Sequence, residues 1–154
     1  MRASPRRRAR EFVLQGLYQR QLSGNAWSAI REQVAAATGF AKADTVYFGE
    51  LWAGTTADYD ALIEVLTPYL DRPPGQLSPI ERGVLVIGAW ELRHRLEIPY
   101  RVAINEAVEL AKSYGGTDGH KFVNGVLDKL AGVLRADEIR ALEAEGHGLP
   151  AAPR

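Results

Sequence analysis

Apolar residues recur every three to four positions along this chain, and turn-forming residues divide the pattern into helix-length segments. Ser4-Pro5 reads as a helix start, a cap followed by proline at the first helical position. Phe12, Val13, Gly16 and Leu17 form the inward face of that segment, which Ser23-Gly24 ends. Trp27, Ile30, Val34 and Ala37 predict a short second helix that stops at Gly39. Val46, Leu51, Leu62, Ile63, Leu66 and Leu70 mark a long third segment, with a bend near Gly54. Asp71-Arg72-Pro73-Pro74-Gly75 breaks the pattern, since proline and glycine both stop a helix. Ser78-Pro79-Ile80-Glu81 opens the next helix, and Gly83–Trp90 is apolar almost all round, which predicts the buried centre of the fold. From Pro99 onward, Ala103, Ala107, Leu110, Ala111 and Tyr114 form another apolar face, closed by Gly115-Gly116. Val123, Val126, Leu127, Leu130 and Leu134 supply the stripe of the following helix. No stretch alternates with period two for long enough to be a strand. The expected fold class is all-α, a compact bundle of about seven helices. Residues 1–135 are expected to form one domain with a basic segment at 1–10, and residues 136–154 a helix or tail, partly disordered.

Composition narrows the class. The chain has 154 residues, 46% hydrophobic and 25% charged, enough for one domain with a real core. Cysteine is absent, which removes disulfides, thiolate chemistry and zinc–thiolate sites and fits a reducing cytoplasm. The longest apolar run is far too short to span a bilayer, so no membrane partner is expected.

Net charge is zero, but its distribution is uneven. Residues 1–10 hold five arginines and no acid, while the rest of the chain holds 14 basic and 19 acidic residues. Such a segment is the electrostatic footprint of an arm that contacts phosphates. With Ser4 as the cap, Arg6, Arg7 and Arg8 fall in the first helical turn, where positive charge opposes the macrodipole by about 0.3–1 kcal/mol per residue. A local rule broken repeatedly at one place points to function. Arg7 and Tyr18 are eleven positions apart, close to three helical turns, which puts an aromatic ring on the arginine face.

Catalytic chemistry finds little support. Glu91-Leu92-Arg93-His94 has the E-x-x-H spacing of di-iron bundles, but no second copy exists, and an exposed acid and imidazole at a helix end explain it better. Gly115-Gly116-Thr117-Asp118-Gly119 lacks the lysine of a P-loop. Glu106 and Glu109 suit capping or pairing with basic neighbours such as Lys112. No catalytic residue, metal site or cofactor is expected. The stretch 99–130 carries unusually specific outward residues for a pair of helices that only pack: Tyr100, Arg101, Asn105, Glu106, Asp118, His120, Lys121, Phe122 and Asn124.

Three blocks carry a resemblance: RRRAREFVLQGLYQ, LSPIERGVLVIGAWEL and IPYRVAINEAVELAKSYGGTDGHKFVNGVLDKL. In order and spacing they resemble the NusB family of bacterial transcription antitermination factors. The resemblance implies an all-α fold of two packed helical subdomains. It also implies binding without catalysis to the boxA element of nascent RNA, in single-stranded form. The implied partners are NusE, which doubles as a protein of the small ribosomal subunit, and an RNA polymerase antitermination complex acting on ribosomal RNA operons. A homodimer is a further possibility that such a chain carries.

By the same resemblance, RNA contact falls to Arg6, Arg7, Arg8 and Arg10, with Tyr18 beside them. Tyr100, Arg101, Asp118, Lys121 and Phe122 complete the ligand face, with Phe122 expected as a partly exposed ring. Glu81, and again Tyr18, are assigned to the partner surface. Gly119 stands where the family often has serine, and Gly83 and Val86 replace more helix-favouring or basic residues. The rings and charges suit single-stranded RNA, whose splayed bases stack on aromatics while basic groups follow the backbone. Two other readings stay open: a helical module that binds only protein, and a NusB-like RNA-binding domain related to RNA cytosine methyltransferases.

Overall fold

A computed structural model describes residues 4–116 and 118–148. It is all-α among the described residues, with eight helices: α1 (Pro5–Ser23), α2 (Trp27–Ala35), α3 (Thr45–Ala57), α4 (Tyr59–Leu66), α5 (Pro79–His94), α6 (Tyr100–Tyr114), α7 (Gly119–Leu134) and α8 (Ala136–Gly148). Arg2 and residues 149–154 lie outside the described residues, so expectations about them have no structural counterpart.

Local chemistry sets the helix starts. Ser4 Oγ accepts from Arg7 N at 3.1 Å with Pro5 behind it, and Ser78 Oγ accepts from Glu81 N at 3.1 Å ahead of α5. Asp44 caps α3 by accepting from Tyr47 N at 2.9 Å. Gly24 ends α1 in the left-handed region at φ 69°, a conformation that favours glycine.

Helix α5 is the axis of the molecule. Every residue from Gly83 to Leu92 is buried, and the helix packs against α1, α3, α4, α6 and α7. Gly83 lets α1 approach closely: a Cβ would lie 2.7 Å from Leu14 Cδ1 and would push that methyl aside. Val86 is fully buried, so neither position is a surface variation.

The long third segment is two helices, which raises the count from seven to eight. The break falls at Asp58, after Thr55 and Thr56, whose hydroxyls donate back to the carbonyls of Leu51 and Trp52 at 2.7 Å. Such back-bonding bends helices. Gly54 is not the hinge. It makes room for the Trp90 indole, whose Nε1 lies 2.1 Å from where a Cβ would stand.

Arg135, after the end of α7, is 3% exposed and closes the C-terminal end of α5. Its guanidinium donates to the carbonyls of Leu92 at 2.7 Å, Arg95 at 2.9 Å, Ile98 at 3.0 Å and Glu91 at 3.2 Å. These include the orphan acceptors of a helix end. Glu138, in the first turn of α8, pairs with Arg135 at 2.5 Å and accepts from Tyr100 N at 2.9 Å. The beginning of the expected tail is therefore helical and tied to the start of α6.

Candidate nucleic-acid interface

The four arginines at the start of α1 meet four different fates. Arg10 is 4% exposed and donates to Glu91 Oε2 at 2.8 Å and to Glu106 Oε1 at 3.3 Å. Tyr47 donates its hydroxyl to the same Glu91 oxygen. Burial, reinforced by the charge of Glu91, pushes the Tyr47 phenol up, so it stays a donor. Arg10, expected on the RNA face, thus belongs to a buried charge network. Glu91 is likewise a core residue and not the exposed acid expected from its motif, while His94 points outward, 3.8 Å from Asp58.

Arg7 makes a two-pronged contact with Glu106, Nε at 3.0 Å and Nη2 at 2.8 Å. Arg7 holds the Glu106 carboxyl below the usual carboxylate range, with Arg10 assisting. Glu106 therefore pairs with α1, 96 and 99 positions away, and not with Lys112, which takes Glu109. Arg6 is exposed and lies over the Tyr47 ring, 4.1 Å from its centroid.

Arg8 alone of the four opens onto a groove of about 500 Å³. Phe12, Gln15 and Tyr18 of α1 line it with Ile80 and Tyr114. Tyr18 is 36% exposed and Tyr114 49%. The apolar pattern places Tyr114 on the inward face of α6, but at the last residue of the helix it is exposed. Burial, then the charge of Glu11, raises its hydroxyl above the ordinary phenol range.

The remaining predicted residues divide into two groups. Ile80 of the groove adjoins Glu81, whose Oε2 lies 2.9 Å from where a Gly119 Cβ would stand, against the first turn of α7. There Asp118 and Lys121 form an exposed pair at 3.4 Å, and the half-buried Phe122 ring carries Arg72 at 4.6 Å from its centroid. Arg72 escaped the sequence reading because it stands in the proline-rich break. Arg101 is elsewhere: it lines a small polar cavity with Asn105, Asn124 and Asp128 on the outer side of α6 and α7. Tyr100 is 7% exposed, and its ring packs with the core, so it is not an outward ligand residue.

Fold and surface chemistry together define a helical binding module, in which arginine and tyrosine surround a groove. The NusB family description matches residues 7–132, and the chain belongs to the NusB family. It is similar to the transcription antitermination protein NusB of Aromatoleum aromaticum, 55% identical over 136 residues, covering 88% of this chain and 94% of that protein. The NusB of Paraburkholderia xenovorans is 54% identical over 138 residues, covering 90% and 96%. Among solved structures, T. maritima NusB superposes with a TM-score of 0.75 at 28% identity, over 86% of this chain and 94% of that one. A chain in a crystal structure of the antitermination factors NusB and NusE with double-stranded RNA shares the fold, with a TM-score of 0.70 at 22% identity over 81% and 94%.

Proposed function

We propose that this protein is a cytoplasmic transcription antitermination factor that binds boxA RNA of nascent ribosomal RNA transcripts together with NusE, within an RNA polymerase antitermination complex. The observation that carries the reading is the groove in which Arg8, Tyr18 and Tyr114 stand together in a chain of the NusB family. Stacking platforms beside a cation are what single-stranded RNA uses. Arg6, exposed over the Tyr47 ring, lines a separate cleft with Arg10 and Glu106. Glu81 suits the partner, and the first turn of α7 against it, with Asp118, Lys121 and Phe122, continues the RNA face, so RNA and NusE would meet along one strip. No catalytic role is assigned to any residue.

The test is a titration with a boxA-like single-stranded RNA, a scrambled strand and a duplex, each with and without NusE. The expected result is preference for the boxA strand, strengthened by NusE. Capture of NusE with no affinity for any RNA would instead make the protein a protein-only helical module. Analytical ultracentrifugation of the same samples reports whether a homodimer competes with RNA for this face.

A further inference from the structure

Positive charge in the first turn of α1 opposes the helix dipole, and an anion placed there relieves it. In the free protein a carboxylate already does so. Glu106 holds Arg7 through two parallel hydrogen bonds, the same fork that guanidinium offers a phosphate. The pair is only partly buried, with the Arg7 side chain 37% exposed and Glu106 17%. Arg10 approaches the same carboxylate from inside, its Nη1 3.3 Å from Glu106 Oε1, and is itself 4% exposed and anchored to Glu91. The two arginines thus differ in kind. Arg10 is fixed, and Arg7 is free to turn outward without leaving Glu106 unpaired.

We propose that Glu106 is an affinity-setting residue of the RNA face, a built-in stand-in for a backbone phosphate that RNA must displace from Arg7. This rests on the RNA-binding reading above. Binding exchanges one anion for another at Arg7, while Arg10, shared with Glu91, still donates to Glu106 at 3.3 Å. The exchange keeps the free basic segment from holding polyanions at full strength. It also makes the Arg7 contact weaker than that of an unpaired arginine.

The experiment compares wild type, Glu106→Gln, Arg7→Ala and the double variant in titrations with a boxA-like single strand across a salt series. Glutamine keeps the shape and an oxygen for Arg10 but releases Arg7. Glu106→Gln is expected to tighten binding about two- to five-fold, the range of a partly exposed ion pair. The log–log salt slope should steepen by up to about 0.7, one phosphate contact on a single strand. In the Arg7→Ala background the same change should leave affinity unaltered. Unchanged or weaker binding by a folded Glu106→Gln overturns the proposal, as does equal tightening without Arg7, which would be a general charge effect. Absence of binding by wild type and all variants fails the RNA reading itself. Should Glu106→Gln not fold, wild type decides. The Arg7 Nε–H resonance should shift on RNA addition while that of Arg10 stays, and an unmoved Arg7 signal at saturation overturns the exchange.

Discussion

Arg10 donates its Nε–H to Glu91 at 2.8 Å across 81 positions of sequence, and neither side chain is more than 4% exposed. This contact fastens α1 to the central helix α5, and Tyr47 of α3 joins it through its hydroxyl. Three helices therefore meet on one carboxylate, whose second oxygen, Oε1, has no protein partner among the described residues.

Arg10→Ala leaves Glu91 as a buried unpaired charge and is expected to cost about 3–5 kcal/mol in urea unfolding. Arg10→Met combined with Glu91→Leu and Tyr47→Phe removes all three polar groups together and should recover most of that loss. RNA affinity per folded molecule should fall in both variants, because without Arg10 the release of Arg7 leaves Glu106 unpaired.

Acid should weaken the attachment of α1 through Glu106. Its folded pKa is lowered by Arg7, so the unfolded chain takes up the proton first as pH falls. The stability it contributes is complete above the ordinary glutamate value, about 4.3, and lost as pH falls below it toward the folded value. The stability difference between wild type and Glu106→Gln, measured by denaturation across that window, should shrink with falling pH.

Tyr18→Ala and Arg8→Ala should separate stacking from charge. The first is expected to reduce affinity by about 1–3 kcal/mol per stacked base, with little change in salt slope or melting temperature. The second should flatten the slope by about 0.7. A Tyr18→Ala protein that unfolds, with affinity per folded molecule unchanged, would make the ring a packing element.

Two glycines in helices should respond to alanine with opposite signs. At Gly16 a Cβ would lie 2.3 Å from Cζ3 of Trp52, a ring held in the core, so Gly16→Ala should lose about 1–3 kcal/mol. Gly132 faces open space, and Gly132→Ala should gain about 0.5–1 kcal/mol from helix propensity. Chemical denaturation of the two variants gives both signs.

Glu81→Lys places a cation at the starts of both α5 and α7, each disfavoured by about 0.3–1 kcal/mol. Pull-down with NusE should weaken more than thermal stability falls. Unaltered pull-down with a sharply lower melting temperature would make Glu81 a structural residue of the α5–α7 contact.

Much of the framework was legible because its causes are local. Ser78, Pro79 and the apolar run after them announce α5, and Ser4-Pro5 announces α1. The site was legible by residue type more than by role. The arginine that shares the groove with Tyr18 is Arg8, not Arg7, because Glu106 draws Arg7 toward α6. Nothing near Arg10 in sequence reveals its partners, which lie 81 and 96 positions away. Gly54 and Gly83 were read as local departures because the side chains that need their space, Trp90 and Leu14, come from other helices.

Arg135 has a consequence for where this protein can be cut. The NusB family description matches residues 7–132 and stops three positions before the guanidinium that gathers the carbonyls of Glu91, Leu92, Arg95 and Ile98. A fragment trimmed to that border would also lose Glu138 and with it the acceptor for Tyr100 N. Buried carbonyls without donors are costly, so such a fragment is expected to be soft at the very turn that aims α6 at α1. Keeping α8 through residue 148, with Ile139 packed on the core, retains these bonds, and expression fragments should include it.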